Sequence, residues 1–112
     1  MSSDDLLHDA LTGLYSRAFL LEALAVELRR HRRYGSRCAL ALIAVDTSGS
    51  AVLQRAAALL RANLRPSDVV ARIGGSVFGV LMPETEPFGA LLATERLRAA
   101  ALLELEPSHP VP

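Results

Sequence analysis

Arg65 and Asp68, separated by Pro66 and Ser67, set a guanidinium three residues from a carboxylate. A guanidinium can fork onto a phosphate through parallel N–H donors, and a carboxylate can accept from N–H groups of the same ligand. The four residues also read as an ordinary helix end. A cation near a helix C-terminus favours the dipole, proline stops the helix, and aspartate is a common turn residue. A second cluster, Arg29, Arg30, His31, Arg32, Arg33, Tyr34 and Arg37, is strongly basic and reads as a solvated helix C-terminus rather than an anion site. Cys38 has no histidine beside it and sits in an apolar run, so it reads as a strand thiol and not a nucleophile. His8 precedes Asp9 in an N-terminal turn and reads as structural; His109 lies in a proline-rich tail.

The elements that must position these groups follow from periodicity and punctuation. Ser16 is placed to cap a helix over 16–34, in which Leu20, Leu21, Leu24 and Leu28 make one apolar stripe and Gly35 ends it. Residues 38–45 are apolar on both alternations and short, as a buried strand should be. A second helix over 51–64 carries Val52, Leu53, Ala56, Leu59 and Leu60, and is stopped by Pro66, which also disfavours helical geometry at Arg65. Segments 69–73 and 76–82 flank Gly74-Gly75, a pair suited to the positive φ angles of a two-residue hairpin turn. Thr85 is expected to cap a third helix, with Pro87 in its first turn and an end near Leu105. Three prolines in 106–112 predict a frayed tail.

The order α-β-α-β-β-α resembles the ferredoxin-like arrangement, preceded by a helix and without its final strand. The fold class is therefore α/β (α+β): a βαββα core with an N-terminal helix, lacking C-terminal strands. The expected sheet order is 1-3-2, with the first strand parallel to the third and left at an edge. An edge made of Ala39, Leu40, Ala41, Leu42 and Ile43 invites pairing, which predicts a homodimer.

At 112 residues the chain is one domain, expected over 1–106 with a tail over 107–112. Twelve basic residues balance twelve acidic ones, so the electrostatic footprint of a nucleic-acid-binding protein is missing. The apolar runs at 38–45 and 77–82 fall far short of the roughly 20 residues of a spanning helix, and no membrane partner is expected. A single cysteine and a polar, acidic start after Met1 predict a cytoplasmic location, and Met1 predicts an intact start.

Several motifs in order resemble the GGDEF family, the diguanylate cyclases that join two GTP molecules into cyclic di-GMP. Asp9-Ala10-Leu11-Thr12-Gly13-Leu14-Tyr15-Ser16-Arg17 is similar to the family's N-terminal segment, with Ser16 in place of Asn. Residues 40–46 are similar to its first strand and D-x-D ending, Arg65-Pro66-Ser67-Asp68 to its R-x-x-D inhibitory site, and Glu95-Arg96-Leu97-Arg98 to its last shared helix. The signature hairpin falls on Gly74, Gly75, Ser76, Val77 and Phe78, so the signature's acids are replaced by Ser76 and Val77. The first acid of the D-x-D ending falls on Ala44, and Asp46 remains. Thr47-Ser48-Gly49-Ser50 spans a gap where the family has a longer helix and loop that recognise ribose and guanine.

The resemblance implies that cyclic di-GMP is the ligand of Arg65 and Asp68, with Arg96 contributing a further arginine. A guanidinium can also meet the Hoogsteen edge of guanine. Arg96 equally suits a surface salt bridge worth about 0–1 kcal/mol. Because phosphoryl chemistry calls on carboxylate-held Mg²⁺, the substitutions carry the expectation that the chain is no enzyme, with no metal and no cofactor. The reading is a catalytically inactive, degenerate domain acting as a cyclic di-GMP receptor. The alternative is a protein-interaction or dimerisation module without a nucleotide.

Overall fold

The computed structural model describes residues 6–46 and 49–104. The expected tail and its boundary at 106–107 fall outside them. The elements are α1 (Arg17–Tyr34), β1 (Cys38–Ala44), α2 (Ser50–Asn63), β2 (Val69–Gly74), β3 (Val77–Pro83) and α3 (Pro87–Glu104).

Local chemistry explains the ends of α1. Ser16 is extended and its hydroxyl accepts from the Phe19 N–H at 3.1 Å, satisfying one of the helix's orphan donors. At the other end Gly35 takes φ 73° and donates its N–H to the His31 carbonyl at 2.8 Å. That left-handed cap is costly for any residue with a Cβ. The start of α3 differs from expectation. The helix begins at Pro87, with the Glu86 carbonyl accepting from Ala90 N–H, so Thr85 is not its cap. The Thr85 hydroxyl is instead donated to the Pro83 carbonyl at 2.9 Å.

The sheet order is β1-β3-β2, as expected, but β1 and β3 are antiparallel, not parallel. Helix α2 carries the chain back so that β2 runs in the direction of β1. The hairpin then reverses it, so β3 enters between them antiparallel to both. Among the described residues β1 pairs only with β3 and is an edge. The outer side of β2 receives Tyr15, whose N–H donates to Val70 O at 3.2 Å and whose carbonyl accepts from Arg72 N–H at 3.1 Å.

Each face of the sheet is covered differently. Phe78, Val80 and Met82 of β3 point toward α2 and α3, forming a core with Leu53, Ala56, Ala57, Leu60 and Leu97. The other alternation, Gly79 and Leu81, faces α1, where Leu20, Ala71 and Leu81 form a smaller core. A Cβ on Gly79 would stand 2.7 Å from Leu20 Cδ2 and 2.9 Å from Ile73 Cδ1. Glycine here lets α1 approach the sheet. The expected stripe on α1 is only partly buried: Leu20 is in the core and Leu24 packs against it, whereas Leu21 and Leu28 are about half exposed and Glu27 is buried. Helix α1 covers β2 and β3 and leaves Leu40 and Leu42, on the same face of β1, exposed.

The N-terminal turn is clamped onto this frame. Asp9 accepts from the Thr12 hydroxyl at 2.7 Å and the Thr12 N–H at 2.9 Å, and Arg72 reaches it at 3.3 Å. Burial alone would raise the Asp9 pKa; the hydrogen bonds from Thr12 and the charge of Arg72 outweigh it and hold the carboxyl below its ordinary range. His8 stacks on Tyr15, and Tyr15 on Phe19.

Candidate functional site

Arg65 lies just past the end of α2, where Pro66 prevents continuation. The turn closes on itself: the Asp68 N–H donates to Arg65 O at 3.0 Å, and the Arg65 N–H donates to Asp68 Oδ2 at 2.9 Å. The side chains repeat the link, with Arg65 Nη2 2.9 Å from Asp68 Oδ1. Asp68's side chain is 3% exposed and Arg65's 52%, so the carboxylate lies behind the guanidinium. The hydrogen bond and charge of Asp68 raise the Arg65 pKa further above its ordinary value.

Two further acceptors come from the turn between β3 and α3. Arg65 Nη2 donates to the Pro83 carbonyl at 3.0 Å and to Thr85 Oγ1 at 2.7 Å. Sequence reading missed both. The only local signal in Thr85 was its aptitude as a cap, and nothing near it in sequence announces Arg65. Among the described residues no hydrogen bond is made by Arg65 Nη1. Arg96 is exposed on α3 beside the buried Leu97, and no hydrogen bond or ion pair among the described residues joins it to Arg65 or Asp68. Its neighbour Arg98, rather than Arg96, pairs with Glu95 at 3.3 Å.

The basic cluster at the end of α1 is partly neutralised. Arg30 lies 3.2 Å from Glu27 and 3.9 Å from Glu84, Arg37 lies 3.2 Å from Glu86, and Arg33 sits over the Tyr34 ring. Among the described residues, buried Glu27 Oε1 has no hydrogen-bond partner.

At the opposite end of the sheet, Ala44 is in register with Val77, and the Val45 N–H donates to Ser76 O at 2.9 Å. The residues matching the D-x-D ending and the signature hairpin therefore meet. Ala44 and Val77 offer no side-chain ligand, and Asp46 is the carboxylate nearest them in sequence. Among the described residues no group of three or more His, Cys, Asp or Glu is placed to hold a metal ion. The side chains at this end, among the described residues, do not by themselves make a metal cluster. No helix among the described residues is long and apolar enough to cross a membrane.

Residues 6–109 match the family described as diguanylate cyclase, GGDEF domain. Diguanylate cyclase DgcP of Pseudomonas aeruginosa is 40% identical over 105 residues, covering 84% of this chain and 16% of DgcP. The probable diguanylate cyclase DgcE of Escherichia coli is 35% identical over 104 residues, covering 83% of this chain and 9% of its own length. Among solved structures, diguanylate cyclase SiaD of Pseudomonas aeruginosa, crystallised with its activator SiaC, superposes with a TM-score of 0.80 at 35% identity, over 85% of this chain and 41% of that one. The chain thus spans a small part of these relatives.

These matches overturn the expectation that the chain is no enzyme, because the family and the relatives are named for cyclase activity. The physical fault in that expectation was to treat substituted side chains as decisive. Mg²⁺ is commonly bound through one or two carboxylates together with substrate phosphates, and Asp46 remains. With the family match running over residues 6–109 and the fold and sequence agreeing with a solved diguanylate cyclase over 85% of the chain, the chain belongs to the GGDEF family of diguanylate cyclase domains.

Proposed function

We propose that this domain binds cyclic di-GMP through Arg65, held in place by Asp68, with Arg96 as a second cation. The observation that supports the reading is the state of the Arg65 guanidinium. It is anchored by a buried carboxylate while half its surface is exposed and, among the described residues, its Nη1 makes no hydrogen bond. Such a group can donate to a phosphate oxygen or to guanine N7 and O6, and its flat face can stack on a base. Asp68 serves here by fixing the guanidinium. Its own oxygens, used by Arg65 and nearly without exposure, are reached by a ligand only if Arg65 moves.

Isothermal titration with cyclic di-GMP tests this. The expected result is a dissociation constant in the micromolar range or tighter, about 8 kcal/mol at 1 µM, that is lost in Arg65→Ala and weakened in Arg96→Ala. Absence of heat and of chemical-shift change with wild-type protein overturns the reading. Binding that persists in Arg65→Ala moves the ligand elsewhere.

A second reading, self-association of two copies along β1, is favoured by a separate observation. The outer side of β1 has no strand partner among the described residues, and Leu40 and Leu42 are 45% and 67% exposed. Two such edges related by a twofold axis would satisfy each other's backbone groups and shield the leucines. Light scattering at tens of micromolar should give a dimer mass, and Leu40→Lys should reduce it. A monomer refutes it.

A further inference from the structure

We infer that Thr85 is a positioning residue for the ligand site: its hydroxyl fixes the plane of the Arg65 guanidinium, so that Nη1 and the flat faces are what a guanine or phosphate group meets. The inference rests on the cyclic di-GMP reading above and adds to it a residue from a different element.

The geometry carries the argument. Arg65 Nη2 has two hydrogens and three acceptors within reach: Asp68 Oδ1 at 2.9 Å, the Pro83 carbonyl at 3.0 Å and Thr85 Oγ1 at 2.7 Å. The Thr85 contact is the shortest. Its direction is determined, because a hydroxyl carries a single hydrogen and that of Thr85 is donated to the Pro83 carbonyl at 2.9 Å. Toward Arg65 the oxygen acts only as an acceptor. Glu84, between the two turn residues, takes φ 49°. This is a left-handed conformation that non-glycine residues adopt sparingly, and it lies where Pro83 and Thr85 address one nitrogen.

Asp68 by itself holds one edge of the guanidinium from within its own turn, through Nη2 at 2.9 Å and Nε at a long 3.5 Å, and a second contact of that length fixes the plane only weakly. Contacts from the β3–α3 turn supply anchors from a second direction, and the planar group is then fixed before any ligand arrives. The rotamer freedom of a long side chain is surrendered in folding rather than in binding, which strengthens binding without a new contact to the ligand. Nη2 is fully committed in this arrangement. A symmetric fork onto phosphate through both terminal nitrogens is therefore not available, and recognition through Nη1 and stacking is favoured.

The test compares Thr85→Val, which keeps the shape and removes the hydroxyl, with Thr85→Ser, which keeps the hydroxyl. Cyclic di-GMP affinity of the whole chain is measured by titration. The side-chain Nε–Hε and Nη signals of Arg65 are followed by NMR. The inference expects Thr85→Val to bind about tenfold more weakly, as loss of a hydrogen bond to a charged group implies, and Thr85→Ser to stay within about twofold of wild type. It also expects hindered rotation of the Arg65 guanidinium in the ligand-free wild type, relaxed in Thr85→Val. Equal or tighter binding by Thr85→Val, with wild type binding normally, overturns the role of Thr85 and leaves the receptor reading intact. Should Thr85→Val not fold, free rotation of the wild-type guanidinium still overturns the inference. If wild type does not bind, both readings fall.

Discussion

Strand β3 runs from Val77, in register with Ala44, to Pro83, in register with Cys38, and the surroundings change over that length of roughly 20 Å. At the Val77 end the neighbours are Ala44, Ser76 and the fully buried Phe78. At the Pro83 end arginines arrive from three parts of the chain: Arg30 from α1 toward Glu84, Arg37 from before β1 onto Glu86, and Arg65 from after α2 onto Pro83 and Thr85. Both ends combine packing and polar contacts: Arg72 donates to Gly75 O at 3.0 Å beside Val77, and Leu81 and Met82 are buried beside Pro83. Three arginines converge on one short turn only at the Pro83 end. The difference teaches that charge density is a poor measure of holding power. Arg37 and Glu86 are both largely exposed, whereas Arg65 and Arg30 each reach a carboxylate that is nearly buried, Asp68 and Glu27.

The contrast can be broken most forcefully at Phe78. Phe78→Ala should lower stability by roughly 3–5 kcal/mol, read from urea unfolding; a loss below about 1 kcal/mol would mean that packing does not hold the Val77 end. Gly79 lies on the same strand, between the two ends. Gly79→Ala should cost about 1–3 kcal/mol by overpacking against Leu20 and Ile73, and a neutral result would show that those side chains turn aside freely.

At the polar end, Asp68→Ala removes the acceptor of both the Arg65 backbone and side chain, with an expected loss of about 1–2 kcal/mol. If stability is unchanged while cyclic di-GMP binding disappears, Asp68 acts for the site alone. Asp9 gives a pH dependence. Its folded pKa is lowered, so its contribution is present above the unfolded value and lost as pH falls through the folded one. Stability should decline on acidification below about pH 4, and Asp9→Asn should flatten that part of the curve. The smallest effect belongs to Arg37→Ala, within about 0–1 kcal/mol, since both partners are solvated.

What was legible in the sequence was local. Ser16 and Gly35 mark the ends of α1 because a cap is a contact within three or four residues; the glycine pair marks the hairpin too, but the turn is Gly75-Ser76, with positive φ at Gly75 only and Gly74 ending β2. The strand order followed from topology, yet the direction of β1 relative to β3 was misread. That direction depends on where the hairpin reverses between two strands already parallel. The apolar stripe on α1 misled as well, because periodicity identifies a face without saying how wide a sheet lies beneath it. Leu21 and Leu28 are left half exposed, and Glu27 is buried. Of the candidate site, the Arg65–Asp68 pair was visible as a short motif. Thr85 was visible only as a helix cap, since its actual partner is twenty residues away. The judgement on enzyme activity failed for a related reason: three substituted positions and one shortened segment were weighed where the whole domain carries the kinship.

The position of β3 at the centre of the sheet also bears on how the chain folds as it is made. Its two neighbours are synthesised first and do not pair with each other; apart from the bonds that Tyr15 makes to β2, each finds a strand partner only when β3 arrives. Until residue 83 is available, β1 is an apolar segment with two bare edges, and the sheet has no stable smaller version to fall back on. Nascent chains stopped within β3 should therefore remain open and prone to association. Folding should appear as one late, concerted event governed by contacts between distant residues.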